Sequence, residues 1–377
     1  MLRTLAACAL AGAFAAVQAQ IGDASSSATW RIEGTAAQAK TSLSSVSCVA
    51  SAQCAAVGDS LAHGTEGLIE LWNGKEWRQT TIPGLTFNGV SCVSPLDCVA
   101  VGASAQLAVG AEAEIYHWNG KSWEQVAVPS DHQGTGLGSV SCASEDDCVA
   151  VGTWAYESLG STGIIDTWNG SQWLLQLTIR PKAFEKLDSV SCATSAYCAA
   201  VGSGTHHGGG FRQVIYTRPS AGRGWTEEAG LPPQRAELSG VSCVTSTFCV
   251  AVGTQGAINT GRHYGALIEK WNGHDWTVMP AGLPGLSRLD AVSCVSATDC
   301  VATGRAFFGG TLEKPRAVLV ARWNGRDWYS EPVPSRVGYE LLGVSCVASQ
   351  GCLAVGANND LTSHFTRFTA LVERSGS

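Results

Sequence analysis

One stretch of sequence decides the fold: Val46-Ser47-Cys48-Val49-Ala50-Ser51-Ala52-Gln53-Cys54-Ala55-Ala56-Val57-Gly58. It reads Val-Ser-Cys, five residues, a second cysteine and a small apolar run that ends in glycine. The pattern returns six times, at steps of 44 to 52 residues. The first cysteines of these returns are Cys92, Cys142, Cys192, Cys243, Cys294 and Cys346. A fixed period of this length predicts a propeller, a solenoid or another repeat array.

Each repeat divides into four short strands, which we call A to D. In the first repeat, strand A covers residues 43–48, strand B begins at Cys54, strand C covers 68–72 and strand D begins at Trp77. Asn73-Gly74 between C and D is a strong hairpin signal, because both residues tolerate positive φ. Four antiparallel strands per repeat make one propeller blade. We therefore predict seven blades, starting near residues 43, 88, 138, 188, 239, 290 and 342.

The last repeat lacks its fourth strand, since the chain ends after residues that match strand C. Residues 28–33, just before the first repeat, contain Trp30 and match strand D. We expect this N-terminal strand to complete the last blade and close the ring, which removes two exposed sheet edges. The prediction is an all-β, seven-bladed propeller of four-stranded antiparallel blades, formed as a single domain by residues 20–377.

Tryptophan recurs at two positions of the C–D hairpin. Trp-Asn-Gly occurs five times, and a second tryptophan follows each first one by five residues. The pairs are Trp72/Trp77, Trp118/Trp123, Trp168/Trp173, Trp271/Trp276 and Trp323/Trp328. Both members fall on one face of the hairpin, so we predict cross-strand packing between blades. The alternative is a sugar-stacking site repeated around the ring.

The first 19 residues are predicted to be a signal peptide. One cation, Arg3, precedes an apolar run from Leu5 to Val17, and Ala19 ends a site for signal peptidase. Cys8, the fifteenth cysteine, lies inside this segment. We expect a secreted or periplasmic protein without a membrane span, because no later stretch approaches the ~18 apolar residues that a spanning helix needs.

Export makes disulfides the expected state of the other fourteen cysteines. Zinc sites are the alternative, but they use closer cysteine spacings or histidines at fixed offsets, and the repeats have neither. The predicted bridges are Cys48–Cys54, Cys92–Cys98, Cys142–Cys148, Cys192–Cys198, Cys243–Cys249, Cys294–Cys300 and Cys346–Cys352. No metal or other cofactor is expected. The net charge of −7 argues against a nucleic-acid partner, which needs a basic surface.

The strand order divides the loops between two faces. The A–B and C–D links are short and nearly constant, and they form what we call the stapled face. The B–C and D–A links differ from blade to blade and form the variable-loop face, where recognition is expected. Aromatic and histidine residues without counterparts in the other repeats are candidate ligand contacts there. They are Trp154, Tyr156, Phe307, Phe308, His263 and Tyr264. For the aromatic residues, the alternative is a loop folded over its own side chain.

The repeat Ser-Cys-x5-Cys-x-Ala-Val-Gly…Trp-Asn-Gly-x2-Trp resembles secreted bacterial seven-bladed propellers of the kelch and galactose-oxidase-like kind. The resemblance covers about residues 29–374 and implies the fold. It assigns no catalytic residue, because the chain lacks the kelch double glycine and the Asp-box of sialidases.

Propellers host both binding proteins and enzymes, so the fold alone leaves two hypotheses. The first is an exported, non-catalytic binding or scaffold protein that recognises a protein partner or a cell-surface glycan, as a lectin does. The alternative is an extracellular glycan hydrolase or lyase with carboxylates at the axial channel. Carboxylates near this face or the channel are Glu66, Glu157, Asp188, Asp290, Glu313 and Asp360.

Overall fold

The computed structural model describes most of the chain after the N-terminal segment. The described residues are 30–36, 40–105, 111–129, 134–156, 160–178, 184–205, 211–219, 224–229, 231, 235–256, 265–307, 316–334, 338–359 and 368–375. Their regular structure consists of strands, and they contain no helix that could cross a membrane. The predicted signal peptide lies outside these residues.

The strands are short and follow one another through hairpins. Their bounds are β1 Trp30–Glu33, β2 Thr41–Ala50, β3 Gln53–Ser60, β4 Glu66–Trp72, β5 Trp77–Pro83, β6 Leu85–Ser94, β7 Asp97–Ser104, β8 Ala113–Trp118, β9 Trp123–Gln125, β10 Thr135–Ser144, β11 Asp147–Tyr156, β12 Gly160–Trp168, β13 Trp173–Thr178, β14 Glu185–Thr194, β15 Tyr197–Thr205, β16 Phe211–Arg218, β17 Thr226–Glu227, β18 Ala236–Thr245, β19 Phe248–Gln255, β20 Gly265–Trp271, β21 Trp276–Val278, β22 Ser287–Ser296, β23 Asp299–Phe307, β24 Arg316–Trp323, β25 Trp328–Glu331, β26 Tyr339–Val347, β27 Gly351–Asn359 and β28 Phe368–Ser375.

Within the described residues these strands form seven four-stranded antiparallel sheets. Blades 1 to 6 take β2–β5, β6–β9, β10–β13, β14–β17, β18–β21 and β22–β25. Blade 7 has the order β26-β27-β28-β1, with Trp30 opposite Ser375 and Glu33 opposite Val372. The N-terminal strand is therefore the fourth strand of the sheet that holds the last strand of the chain. The prediction of an all-β propeller with four-stranded antiparallel blades is confirmed.

Every innermost strand carries a β-bulge before its Val-Ser-Cys motif. In blade 1, Leu43 lies opposite Gly58 and Ser45 lies opposite Val57, so Ser44 has no residue opposite it. The glycine that ends the repeat motif is needed at this point. A Cβ on Gly58 would lie 2.0 Å from the carbonyl oxygen of Ser42, which no side chain tolerates. The bulge and the glycine together bend the strand and turn the extra residue toward the centre of the molecule.

The serine of each Val-Ser-Cys motif joins one blade to the next. Ser47 Oγ accepts a hydrogen bond of 3.0 Å from the backbone N–H of Cys92, the first cysteine of blade 2. The same bond recurs at each later junction with lengths of 2.9 to 3.0 Å. It also links blade 7 to blade 1, where the Cys48 N–H donates to Ser345 Oγ at 3.0 Å. We call this contact the serine latch.

The fourteen repeat cysteines form seven disulfides, each within its own A–B hairpin. Each bridge joins residues that lie opposite each other on neighbouring strands, such as Cys48 and Cys54. The predicted pairing is therefore confirmed.

The tryptophan pairs pack as cross-strand neighbours, with ring centroids 5.4 to 5.9 Å apart. Each pair belongs to a hydrophobic cluster shared with the preceding blade, as Trp271 and Trp276 do with Ile215 of blade 4. Asn73 of the first Trp-Asn-Gly turn accepts hydrogen bonds from the N–H groups of Lys75 and Glu76. The motif therefore builds a turn and fills an interface between blades, and this supports packing over repeated sugar stacking.

Candidate binding site at the axial mouth

The innermost strands of all seven sheets surround a small polar cavity of about 150 Å3. Six of the seven bulge residues carry a polar side chain or none. In blade order they are Ser44, Asn88, Gly138, Asp188, Ser239, Asp290 and Leu342, and all line the cavity. Two positions earlier on each strand, nearer the variable-loop face, lies a second set that we call the mouth positions. These are Ser42, Thr86, Gly136, Lys186, Glu237, Arg288 and Glu340.

Charge at the mouth is confined to one side. Blades 1 to 3 present small or uncharged residues there, whereas blades 4 to 7 present Lys186, Glu237, Arg288 and Glu340. The opening is therefore chemically asymmetric although the strands around it repeat. An asymmetric opening can orient a ligand, which a uniform ring of identical side chains could not do.

Blade 6 holds the densest charge cluster. The carboxylate of Asp290 is 6% exposed and contacts the guanidinium groups of both Arg288 and Arg305, at 3.2 Å for Arg305 Nη2. Arg305 continues the chain of contacts to Glu340 of blade 7, where Nη1 lies 2.5 Å from Oε2. Arg305 and Glu340 are largely buried, but the side chain of Arg288 remains 39% exposed. The buried members therefore hold one accessible guanidinium in place.

Blade 4 contributes a second ion pair, between Lys186 Nζ and Asp188 Oδ2 at 3.0 Å. Burial raises the pKa of Asp188 above its ordinary value, and the positive charges of Lys186 and Arg288 oppose this effect. Because Arg288 acts on Asp188 from blade 6, the charges of the two blades share one electrostatic environment. Lys186 is 34% exposed, so the mouth offers two accessible cations.

The two channel carboxylates lie in different surroundings. Asp290 is engaged by two guanidinium groups, which fixes it in structural contacts. Asp188 is the one with a raised pKa and could hold a proton. The cavity of about 150 Å3 is also small beside the roughly 300–1,000 Å3 of typical small-molecule sites.

Among the sequence-predicted ligand contacts, Trp154 has both its strand position and its packing described. It lies on β11 opposite Thr135 and Thr162, and its half-buried ring packs against the hydrophobic cluster between blades 2 and 3. Part of this ring therefore contributes to the packing between blades 2 and 3.

The other candidates are not gathered around Trp154. Tyr156 is described through its backbone, which pairs with Gly160. Phe307 is half-buried at the end of β23 in blade 6, three blades from Trp154, and its N–H donates to the carbonyl of Leu286. Phe308, His263 and Tyr264 lie outside the described residues. Their role as ligand contacts stays a prediction.

Sequence reasoning missed the cations of the mouth. The sequence indicates Asp188 and Asp290 as carboxylates near the channel, but it does not single out Lys186, Arg288 or Arg305. A signal was present, since the residue six positions before each first cysteine is uncharged in the first three repeats and charged in the last four.

Comparison with known proteins places the chain among the β-propellers. No family model and no curated protein matches it. It is similar to a structure described as YCF48 bound to D1 peptide, with 11% identity, a TM-score of 0.57 and coverage of 93% of this chain and 95% of that one. It is also similar to YCF48 from Cyanidioschyzon merolae, with 14% identity, a TM-score of 0.58 and coverage of 92% and 98%.

A GH74 xyloglucanase from Xanthomonas campestris shares the architecture at 12% identity and a TM-score of 0.52, covering 90% of this chain and 55% of that one. Identities this low show the fold alone, so the chain is a β-propeller with repeated Cys-x5-Cys disulfides. The kelch and galactose-oxidase-like class that the repeat resembles is not shown by these neighbours.

Proposed function

We propose that this protein is an exported, non-catalytic propeller that binds a segment of a protein partner at the axial mouth, on the variable-loop face. The observation that carries the proposal is the arc of ion pairs on blades 4 to 7. Lys186 and Arg288 are accessible, and each is held by a carboxylate of its own blade.

Side chains held in this way are suited to recognition. A fixed guanidinium loses little conformational freedom when it binds a carboxylate or a peptide carbonyl, and it imposes a geometry on the partner. The other side of the mouth carries uncharged residues, among them Gly136 and Thr86, so it presents no charge to oppose a bound chain. A structural neighbour, YCF48, has been described with a bound peptide, which supports a protein partner in general.

A random peptide library displayed on phage tests the proposal, with the mature protein immobilised under oxidising conditions. We expect selected peptides to bind wild type and to lose about tenfold or more in affinity with Arg288→Ala, since hydrogen bonds to charged groups contribute about 1.5–3 kcal/mol. Arg326→Ala is the matched control, because Arg326 is 89% exposed in the C–D turn of blade 6 on the opposite face. Peptides that bind both variants as well as wild type would refute an axial-mouth site.

The glycan version of the proposal relies on Trp154 and Tyr156 rather than on the mouth. A glycan array with wild type and Trp154→Ala distinguishes the two. A glycan signal that disappears in Trp154→Ala, together with no selected peptide, would favour the lectin. The enzyme alternative relies on Asp188, and turnover of a polysaccharide that is abolished by Asp188→Asn would favour it.

We also infer that the seven blades close into one ring and that the chain is exported. Closure is supported by the serine latch between Ser345 and Cys48 and by a hydrophobic cluster that joins Leu353 of blade 7 to Leu43 of blade 1. The disulfides are consistent with an oxidising compartment. N-terminal sequencing of the secreted protein should begin at Gln20. Deleting residues 20–33 should lower the melting temperature by many degrees, and an unchanged melting curve would contradict closure by this strand.

A further inference from the structure

The stapled face carries a feature that varies between blades, the residue just before each second cysteine. In blades 3, 4 and 5 this side chain contacts the next blade, whereas in blades 2 and 6 it pairs with a side chain of its own blade. The residues at this position, in blade order, are Gln53, Asp97, Asp147, Tyr197, Phe248, Asp299 and Gly351. We call them the junction residues.

Two junction residues are aromatic, and they fill their junctions from within the chain. Tyr197 is 4% exposed and packs with Trp271 and Trp276 of blade 5. Phe248 is 8% exposed and packs with the tryptophan pair of blade 6. The first tryptophans of blades 5 and 6 are buried as a result.

The junction between blades 2 and 3 is not filled by an aromatic junction residue. Asp97 stands at the position of Tyr197 and Phe248, and a groove of about 240 Å3 opens beside it. The groove has apolar walls that include Ile115, Val126 and the half-buried ring of Trp168. Its remaining lining is mainly acidic, with Asp97, Glu145 and Asp146, and Nε2 of His117 lies 3.3 Å from Oδ1 of Asp97.

The next junction shows what this chain places in such a groove. Blade 4 has Arg218 where five other blades have the first tryptophan, and its guanidinium carbon lies 5.8 Å from the centroid of Trp225. Arg218 Nη2 is 3.6 Å from the carboxylate of Asp147, the junction residue of blade 3, and donates to the carbonyl of Ser195 at 3.2 Å. An arginine therefore lies between a junction carboxylate and a tryptophan of the following blade.

In the groove between blades 2 and 3 the junction carboxylate and the second tryptophan are also present, and Trp168 takes the position of Arg218, with its ring 5.9 Å from that of Trp173. Asp97 corresponds to Asp147, and Trp173 corresponds to Trp225. We propose that this groove binds an arginine side chain of a partner protein. The aliphatic stem packs on Trp168 and Val126, and the guanidinium lies among the carboxylates of Asp97 and Asp146.

Charge and shape both favour arginine as the occupant. Three carboxylates around an aromatic wall attract a cation, and a planar guanidinium can stack on indole while it donates to carboxylates. Lysine offers a compact charge that is more strongly hydrated, so we expect it to bind less well. This site lies on the face opposite the axial mouth and does not depend on the function proposed there.

Nuclear magnetic resonance of the indole N–H signals tests the site, with the amidated peptide Gly-Gly-Arg-Gly-Gly as the probe. We expect saturable shifts of the Trp168 and Trp173 signals with a dissociation constant in the millimolar range. The same peptide with citrulline, which is neutral and nearly the same shape, should give no saturable shift. Equal shifts with citrulline, or no saturable shift with arginine, would overturn the proposal.

Two substitutions of Asp97 separate binding from folding. Asp97→Asn keeps the shape and should weaken binding about tenfold, because the charge of the acceptor is lost. Asp97→Tyr introduces the residue that blade 4 has at this position, Tyr197. It should fill the groove and abolish binding while the melting temperature is retained. Asp299→Asn is the matched control, since Asp299 is the junction residue of blade 6 and pairs with Arg322 at 3.6 Å.

Two outcomes with these variants would overturn the proposal that the groove binds arginine. Undiminished binding by folded Asp97→Tyr is one, and an equal loss with Asp299→Asn is the other. Arg288→Ala should leave the indole shifts unchanged, so a failure of the axial-mouth proposal is distinguishable from a failure of this one.

Discussion

Glu269 gives the sharpest prediction, because it is a carboxyl group buried between blades 4 and 5. Its side chain is 0% exposed, and its Oε1 accepts a hydrogen bond of 2.9 Å from Gln213 of blade 4. Its Oε2 has no hydrogen-bond partner among the described residues. Burial raises the pKa of Glu269 from 4.5 to about 7, and the hydrogen bond from Gln213 only partly opposes this.

The raised pKa makes stability depend on pH in a known direction. Between about pH 4.5 and 7 the folded protein holds a proton on Glu269 that the unfolded chain has released, so the free energy of unfolding falls as the pH rises. The difference between 4.5 and about 7 corresponds to about 3 kcal/mol, since each pKa unit is equivalent to about 1.4 kcal/mol. This stability is complete below pH 4.5 and is lost above pH 7.

The variant Glu269→Gln removes the charge and keeps an oxygen that can accept from Gln213. We expect it to match wild type near pH 4.5 and to be more stable by up to about 3 kcal/mol at pH 8. For a chain of this size that gain corresponds to a rise in melting temperature of about 4 °C. Urea unfolding without reductant, followed by tryptophan fluorescence from pH 4.5 to 8.5, measures the difference.

The control is Glu76→Gln, which changes a carboxylate that is 60% exposed on the stapled face. Its difference from wild type should be small and nearly independent of pH. If the difference between Glu269→Gln and wild type did not grow with pH, the burial of an ionisable carboxyl between these blades would be refuted. A loss of stability at every pH would show that the carboxylate itself makes a favourable contact.

Three further predictions concern how the blades are held. Non-reducing mass spectrometry of the mature protein should show seven local bridges and no free thiol, and fourteen alkylatable thiols would contradict the bridges. Trp30→Ala should cost about 3–5 kcal/mol, because Trp30 is 1% exposed and its Nε1 donates to Glu331 at 2.7 Å; a loss under 1 kcal/mol would contradict its place between blades 6 and 7. Ser47→Ala should cost about 1 kcal/mol, because the hydrogen bond from the Cys92 N–H is lost. Ser195→Ala, which changes an exposed serine, is the control, and equal unfolding curves for both variants would show that the latch does not stabilise the fold.

The architecture could be predicted because it depends on local and repeated signals. A 50-residue period, Asn-Gly turns and alternating apolar residues specify a hairpin without knowledge of distant contacts. The pairing of cysteines six residues apart follows from the same hairpin. The completing strand at Trp30 could be predicted because the last repeat lacks a strand that the other repeats have.

The candidate sites could not be predicted in the same way, because they depend on register and on neighbours in space. Asp290 contacts Arg305 because a bulge turns residue 290 toward the cavity. The position of a bulge cannot be read from the sequence pattern. Arg305 and Glu340 come from different blades. The serine of Val-Ser-Cys is plain in the sequence, but its role becomes visible only when the next blade is placed beside it.

The serine latch is directional, since one edge of every blade offers a hydroxyl and the other edge offers a backbone N–H. Seven copies of one head-to-tail contact can be satisfied inside a single molecule only when the last meets the first. A chain shortened by a blade would carry unmatched complementary ends. Such ends are complementary to the ends of another molecule and favour open polymers, so the number of repeats determines whether every serine latch can be satisfied within one chain.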